Sequence, residues 1–155
     1  MAAMNARLLR RGMGWWPPFL GAGIRVRSFN EDFRDAVVEL RLGRLNRNYV
    51  GTHFGGSLYA MCDPFYMIML LHNLGSDYLV WDKEGRIEYV APGRGTVSAR
   101  FTLAEERLAG IRAQAAGGDR VFPEFETDVT DEQGAVVAKV HKTIYVRLKP
   151  RHRPA

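Results

Sequence analysis

Along most of the chain, hydrophobic and polar positions alternate with a period of two. Ile24 and Val26 alternate with Arg25 and Arg27, and Val38, Leu40 and Leu42 alternate with Glu39 and Arg41. Such alternation predicts half-buried strands. It returns at Ile87, Tyr89 and Ala91 against Arg86 and Glu88, until Pro92-Gly93 breaks the run. It returns again at Val97, Ala99, Phe101 and Leu103, and at Val121, Pro123, Phe125, Thr127 and Val129. Tyr78 to Trp81 reads as a short apolar strand, with Asp82-Lys83-Glu84-Gly85 turning the chain after it. Asp131-Glu132-Gln133-Gly134 reads as a hairpin turn. Val136 to Leu148, long and rich in β-branched residues, reads as the last strand.

One segment breaks the period. From Ser57 past Leu70 the residues are mostly apolar without strict alternation, too long a run for one buried strand. A helix surrounded by core fits it, with Asn73-Leu74-Gly75 as its stop. Pro64 lacks the N–H that would bond to the Ala60 carbonyl, so a bend is expected there. Ala104 to Ala116 predicts a second, short helix closed by Gly117-Gly118. A long apolar helix and several antiparallel strands bury one another when the sheet curls around the helix. The predicted class is α+β, with an antiparallel sheet of five or six strands wrapped around one long central helix. A single domain is expected over residues 18–149, between a basic N-terminal arm (1–17) and a basic C-terminal tail (150–155).

In the arm, MAAMNARLLRRGMG predicts a short basic helix ending at Gly12 or Gly14. Trp15-Trp16-Pro17-Pro18 then predicts extended chain, because a residue before proline is pushed out of the α region. The two tryptophans are expected to pin the arm onto its own domain, the alternative being contact with a membrane interface.

Composition narrows the function classes. The 155 residues are 46% hydrophobic and 25% charged, ordinary for a globular domain. A net charge of +5 favours anionic partners, although much of the excess sits at the ends, in Arg7, Arg10, Arg11, Arg147, Lys149, Arg151 and Arg153. One cysteine, Cys62, forbids an internal disulfide and fits a reducing compartment, so a cytoplasmic location is expected. No run reaches the length of a transmembrane span, and no apolar stretch follows the first arginines as in a secretory signal. The four histidines and Cys62 have no metal-ligand spacing. The basic residues are not interleaved with aromatics on a strand face, so a nucleic-acid partner is not expected.

The stretch from Asn48 to Asp63, NYVGTHFGGSLYAMCD, carries the candidate chemistry. Gly55 and Gly56 lack a Cβ and let a ligand or backbone come close. A helix starting there presents free N–H groups and a positive dipole end. Asp63 is the only acid between Glu39 and Asp77, and a carboxylate among Leu, Met and Phe is costly unless paired or hydrogen-bonded. The order Asn48, Gly51, Gly55-Gly56, Asp63 resembles the active-site segment of hotdog-fold acyl-CoA thioesterases of the phenylacetate-pathway type, N-x-x-G-x-x-H-G-G-x-x-x-x-x-x-D. The histidine of that pattern is Phe54 here, with His53 one place earlier. The resemblance, extended by the strand pattern from about Pro18 to Leu148, implies a hotdog fold and thioester hydrolysis. It also implies coenzyme A as part of the substrate with no separate cofactor, and an Asn48 that orients water or substrate.

An acyl-thioester hydrolase needs donors aimed at the carbonyl oxygen and a base or nucleophile for the carbonyl carbon. Gly55 and Gly56 N–H groups are candidate oxyanion donors, and Asp63 a candidate base on water or direct nucleophile. A structural role for Asp63 at the Pro64 bend, and a turn role for Asn48, stay open. Gly55 and Asp63 are eight residues apart, about 12 Å along one helix, so one carbonyl cannot touch both. A two-fold dimer would bring Gly55 of one subunit to Asp63 of the other, twice. A homodimer is therefore expected, with further pairing into a tetramer left open. His53, Phe54 and Tyr59 are candidate substrate-binding residues, and Lys83, Arg94 and Arg100 candidates for the phosphates of coenzyme A. Cys62 reads as a small core residue. The competing readings are a non-catalytic acyl-CoA binder and a related dehydratase, whose paired Asp and His are not found at their usual spacing.

Overall fold

The structure, a computed structural model, describes residues 5–152. Arg153 of the basic tail lies outside the described residues. Helix α1 (Ala6–Trp15) is capped by Asn5, whose side chain accepts a hydrogen bond from the Arg7 N–H at 2.8 Å. Only Trp16 is extended after it. Pro17 and Pro18 then open a second helix, α2 (Pro17–Ala22), rather than continuing an extended chain. Proline costs nothing in a first helical turn, where its missing N–H has no partner to lose. Gly23 ends α2 in the left-handed region, φ 80°.

Six strands follow in one antiparallel sheet: β1 (Ile24–Phe29), β2 (Asp35–Arg41), β3 (Tyr78–Tyr89), β4 (Thr96–Thr102), β5 (Glu124–Thr130) and β6 (Val136–Leu148). Their spatial order is β1-β2-β4-β5-β6-β3, so β1 and β3 are the two edges. The stretch Asp82–Gly85 is not a turn. It lies inside β3, which pairs with β6 from Tyr78↔Leu148 to Tyr89↔Ala138, with one register shift at Lys83. A thirteen-residue β6 needs a partner of matching length, and a single bulge lets the polar stretch stay in the ladder.

The central helical segment is broken where Pro64 predicts it. It comprises α3 (Gly55–Ala60) and α4 (Phe65–Leu74), joined by turns over 61–64. Gly75, φ 85°, terminates α4. The concave side of the sheet wraps this segment. Phe65 stacks on Phe101 at 4.7 Å and meets Phe19 at 6.3 Å, so α2, α4 and β4 share one core. Helix α5 (Glu105–Ala115) crosses between β4 and β5, burying Leu108, Ile111 and Ala115. This is the hotdog arrangement, a sheet curled about a central helix.

Candidate functional site

The start of α3 is held by the loop between β2 and α3, and asparagines tie that loop. Asn46 donates to the Ala22 and Arg41 carbonyls, both at 2.8 Å, and accepts from the Gly43 N–H. Asn48 donates to Thr52 Oγ1 and the His53 carbonyl, and accepts from the Val50 and Thr52 N–H groups. Both polar atoms of the Asn48 amide are thus engaged inside the loop, in the manner of a turn staple. His53 is buried beneath it. Its N–H donates to the Gly93 carbonyl and Nε2 lies 3.1 Å from the Gly95 carbonyl, which makes Nε2 the protonated nitrogen. Nδ1 is buried without a hydrogen-bond partner among the described residues. Burial pulls the His53 pKa below its ordinary value, against the Gly95 bond, and favours the neutral ring.

The glycine pair has two separate reasons. A Cβ on Gly55 would stand 2.7 Å from the Tyr89 hydroxyl, and one on Gly56 2.5 Å from the Phe54 ring. Two aromatic rings therefore lie directly on the first turn of α3. The N–H groups of Gly55 and Gly56 donate to no described residue, whereas those of Ser57 and Leu58 both return to the Phe54 carbonyl. Around this turn opens a cavity of about 620 Å³, whose lining includes Thr52, His53, Gly55, Gly56, Tyr89 and Arg94, with Asn48 and Phe54 also on its wall. Tyr49, Val50, Phe54, Tyr89 and Val90, in and around it, are large apolar side chains exposed to water.

Asp63 is not on that wall. At the far end of α3, its Oδ1 accepts from Lys142 Nζ at 2.6 Å. The same ammonium stands 2.9 Å from Asp82, a contact close in distance but poorly aligned as a hydrogen bond, and donates to the Tyr59 hydroxyl at 3.2 Å. The Lys142 side chain is only 2% exposed, that of Asp63 45%. Burial alone would lower the Lys142 pKa, but Asp63 and Asp82 more than reverse this, and the net direction is up. Burial raises the Asp82 carboxyl above its ordinary value, with Lys142 opposing. Burial also raises Tyr59, again against Lys142. Gly85 makes room for this cluster, since a Cβ there would sit 1.8 Å from the Tyr59 hydroxyl. Cys62, next to Asp63, is buried, and its thiol is pushed far up by desolvation, which keeps it protonated.

The expected site residues thus fall into three places. Asn48, His53, Phe54, Gly55, Gly56 and Arg94 surround the cavity. Asp63 and Tyr59 meet at Lys142, a residue the sequence reading did not single out. Its signal was its phase: Ala138, Val140, Ile144 and Val146 point inward along β6, and Lys142 occupies the same alternation. Lys83 and Arg100 lie away from the cavity. Lys83 Nζ sits 4.7 Å from the Phe122 ring centroid, and Arg100 pairs with Asp35 at 3.1 Å. Among the described residues, no group of three or more His, Cys, Asp or Glu side chains is placed to hold a metal ion, and no helix is long and apolar enough to cross a membrane.

The family described as domain of unknown function DUF4442 has a sequence model that matches residues 5–146. The chain belongs to the DUF4442 family. Among solved structures, a Pseudomonas aeruginosa protein described as a protein of unknown function and probable thioesterase resembles this DUF4442 chain with TM-score 0.82 at 20% identity, over 94% of this chain and 97% of that one. A Chlorobaculum tepidum protein of unknown function gives TM-score 0.73 at 16% identity, over 96% and 100%. A Haemophilus influenzae thioesterase gives 0.68 at 15%, over 97% and 96%. At these identities the likeness establishes the shared fold. No curated protein matches.

Proposed function

We propose that the protein hydrolyses the thioester bond of an acyl-CoA or acyl-carrier substrate, with each site completed by a second copy of the chain. One observation carries the reading: a cavity of about 620 Å³ opens onto two unpartnered backbone N–H groups at a helix start. Such a volume suits an acyl group and its thioester. Gly55 and Gly56 N–H groups would stabilise the oxyanion, each well-placed donor contributing about 3 kcal/mol of barrier. Asp63, as base on water or as nucleophile, belongs to another end of the same protomer, and an isologous dimer would bring it to the partner's cavity. The exposed apolar residues in and around the cavity, Tyr49, Val50, Phe54, Tyr89 and Val90, fit such a covering surface. Arg94, on the cavity wall, is the cation placed to meet a phosphate of coenzyme A. The resemblance of the fold to proteins described as thioesterases supports the same chemistry.

A second reading, a non-catalytic acyl-CoA binder, is favoured by the Lys142 ion pair, because the Asp63 Oδ1 that would act on water already accepts from the ammonium at 2.6 Å. Thiol release across short, long and aromatic acyl-CoAs, run beside Asp63→Asn, separates the two. Asp82 remains as counter-ion to Lys142 in that variant, so it should fold. Turnover in the wild type and its loss in Asp63→Asn supports the hydrolase. Acyl-CoA binding without thiol release selects the binder, and a stable, active monomer by size exclusion refutes the shared site.

A further inference from the structure

We propose that the outward face of α1 and α2 docks on an anionic lipid surface. The inference rests on this helix pair alone and is independent of the hydrolase reading. Helix α1 turns Ala6 and Met13 inward, and α2 buries Phe19, so the pair is already anchored without its other apolar residues. Those other residues point to water. Leu8 and Trp15 are 62% and 78% exposed, and Trp16 and Leu20 are also uncovered. Leu8, Gly12 and Trp15 recur at i, i+4 and i+7, a single stripe along the helix, and Trp16 follows at its C-terminal end. With Leu9 and Met13 they form a shallow groove of about 450 Å³. Of the two tryptophans expected to pin the arm, Trp16 rests partly on the buried Phe19, with ring centroids 5.1 Å apart, whereas Trp15 faces water and Met13 and Phe19 supply the buried anchors.

Charge identifies the occupant. From Asn5 to Ala22 the helix pair and its cap hold Arg7, Arg10 and Arg11 and no Asp or Glu. Arg11 has no ion-pair partner among the described residues, and the Arg7–Glu31 pair is largely exposed at both ends. A second copy of the chain docked by two-fold symmetry would set arginine against arginine. A lipid surface carrying negative headgroups would instead satisfy both halves of the face. Indoles settle at headgroup depth, and guanidinium groups meet phosphate beside them. The pair lies against β1, the sheet edge opposite β3, so docking here leaves the β3 edge free.

The test uses the full chain with large unilamellar vesicles of phosphatidylcholine, with and without phosphatidylglycerol. Co-sedimentation and a blue shift of tryptophan emission should appear with the anionic vesicles and be nearly absent with the neutral ones. Binding should weaken about tenfold on raising salt from dilute buffer to half-molar. Leu8→Gln/Trp15→Gln, both exposed positions, should bind at least about tenfold less while keeping its circular dichroism spectrum. Arg7→Gln/Arg11→Gln should lose the preference for anionic over neutral vesicles. Three outcomes overturn the proposal: no sedimentation, equal binding to both vesicle types, or undiminished binding by Leu8→Gln/Trp15→Gln. A change in oligomer mass in that variant, without vesicle binding by the wild type, assigns the face to a second copy instead.

Discussion

Replacing Lys142 by Met removes the charge that joins β6 to the helix break while keeping most of the side-chain volume. The ammonium is almost wholly buried, and it stands between Asp63 at 2.6 Å and Asp82 at 2.9 Å. Breaking a buried pair by deleting one partner costs about 3–5 kcal/mol, since the other charge stays buried and uncompensated. Here the orphaned carboxylates are not deeply buried, with 45% and 29% of their side chains exposed, so water recovers part of the loss. We expect a loss of about 2–3 kcal/mol, seen as a fall of about 1 M in the urea midpoint at fixed protein concentration.

The pH dependence gives this prediction its discriminating power. Asp82 is raised above its ordinary 3.8, so the folded state holds its proton more readily than the unfolded chain. Stability linked to Asp82 is therefore present below 3.8 and is lost as pH rises through the raised value. Lys142, raised above 10.5, contributes its share in full at neutral pH and loses it only in strong alkali. Without the ammonium, the charged form of Asp82 loses the cation that opposes its burial, and its carboxyl should take a proton more readily still. The deficit of the variant should then be full near about pH 8 and shrink toward about pH 4. Asp63→Asn/Asp82→Asn in the Lys142→Met background should recover most of it. An equal deficit at both pH values, or a variant as stable as the wild type, would refute the assignment of Lys142 as the counter-ion of this cluster.

Gly85→Ala should cost about 1–3 kcal/mol, because the added methyl meets the Tyr59 hydroxyl at 1.8 Å. Tyr59→Phe should reduce that penalty in a double-mutant cycle followed by urea melts. The wild-type protein should lose stability as pH falls from 6.5 through the lowered pKa of His53, since burial favours its neutral ring and the unfolded chain binds the proton first. His53→Gln should flatten part of that decline and leave a residual slope from His72, whose pKa burial also lowers. An unchanged slope in the variant would remove His53 as its source.

Much of the fold was legible because strand alternation and an unbroken apolar run are local signals. Pro64 announced the break between α3 and α4 for the same reason. What misled was polarity without its partner. Asp82-Lys83-Glu84-Gly85 has the composition of a turn, yet Asp82 lies inside β3 facing Lys142, and Gly85 yields space to Tyr59. Both reasons are long-range and depend on the β3–β6 register. Lys83 and Arg100 failed to reach the cavity for a similar reason, since strand order decides which loops share an end of the sheet. Lys142 could have been found from its inward phase alone, as a cation among Val140 and Ile144 that demands a carboxylate nearby.

That demand changes the meaning of Asp63 in the proposed reaction. A lone acid in an apolar run asks for a function, but an acid already paired with Lys142 has a structural reason to exist. The two roles differ in what they require of exposure. A purely structural ion pair gains from complete enclosure, yet Asp63 keeps nearly half its side chain open while Lys142 behind it is sealed. The opening also does not serve its own protomer's cavity, because Asp63 is not on that wall. An ammonium behind a half-open carboxylate fixes the direction in which it faces whatever approaches from the open side. In the proposed dimer that approach belongs to the thioester held by the partner subunit, which is why stability of the pair and turnover should be separable. Asp63→Asn should strike turnover with Asp82 still answering Lys142, whereas Lys142→Met should strike both.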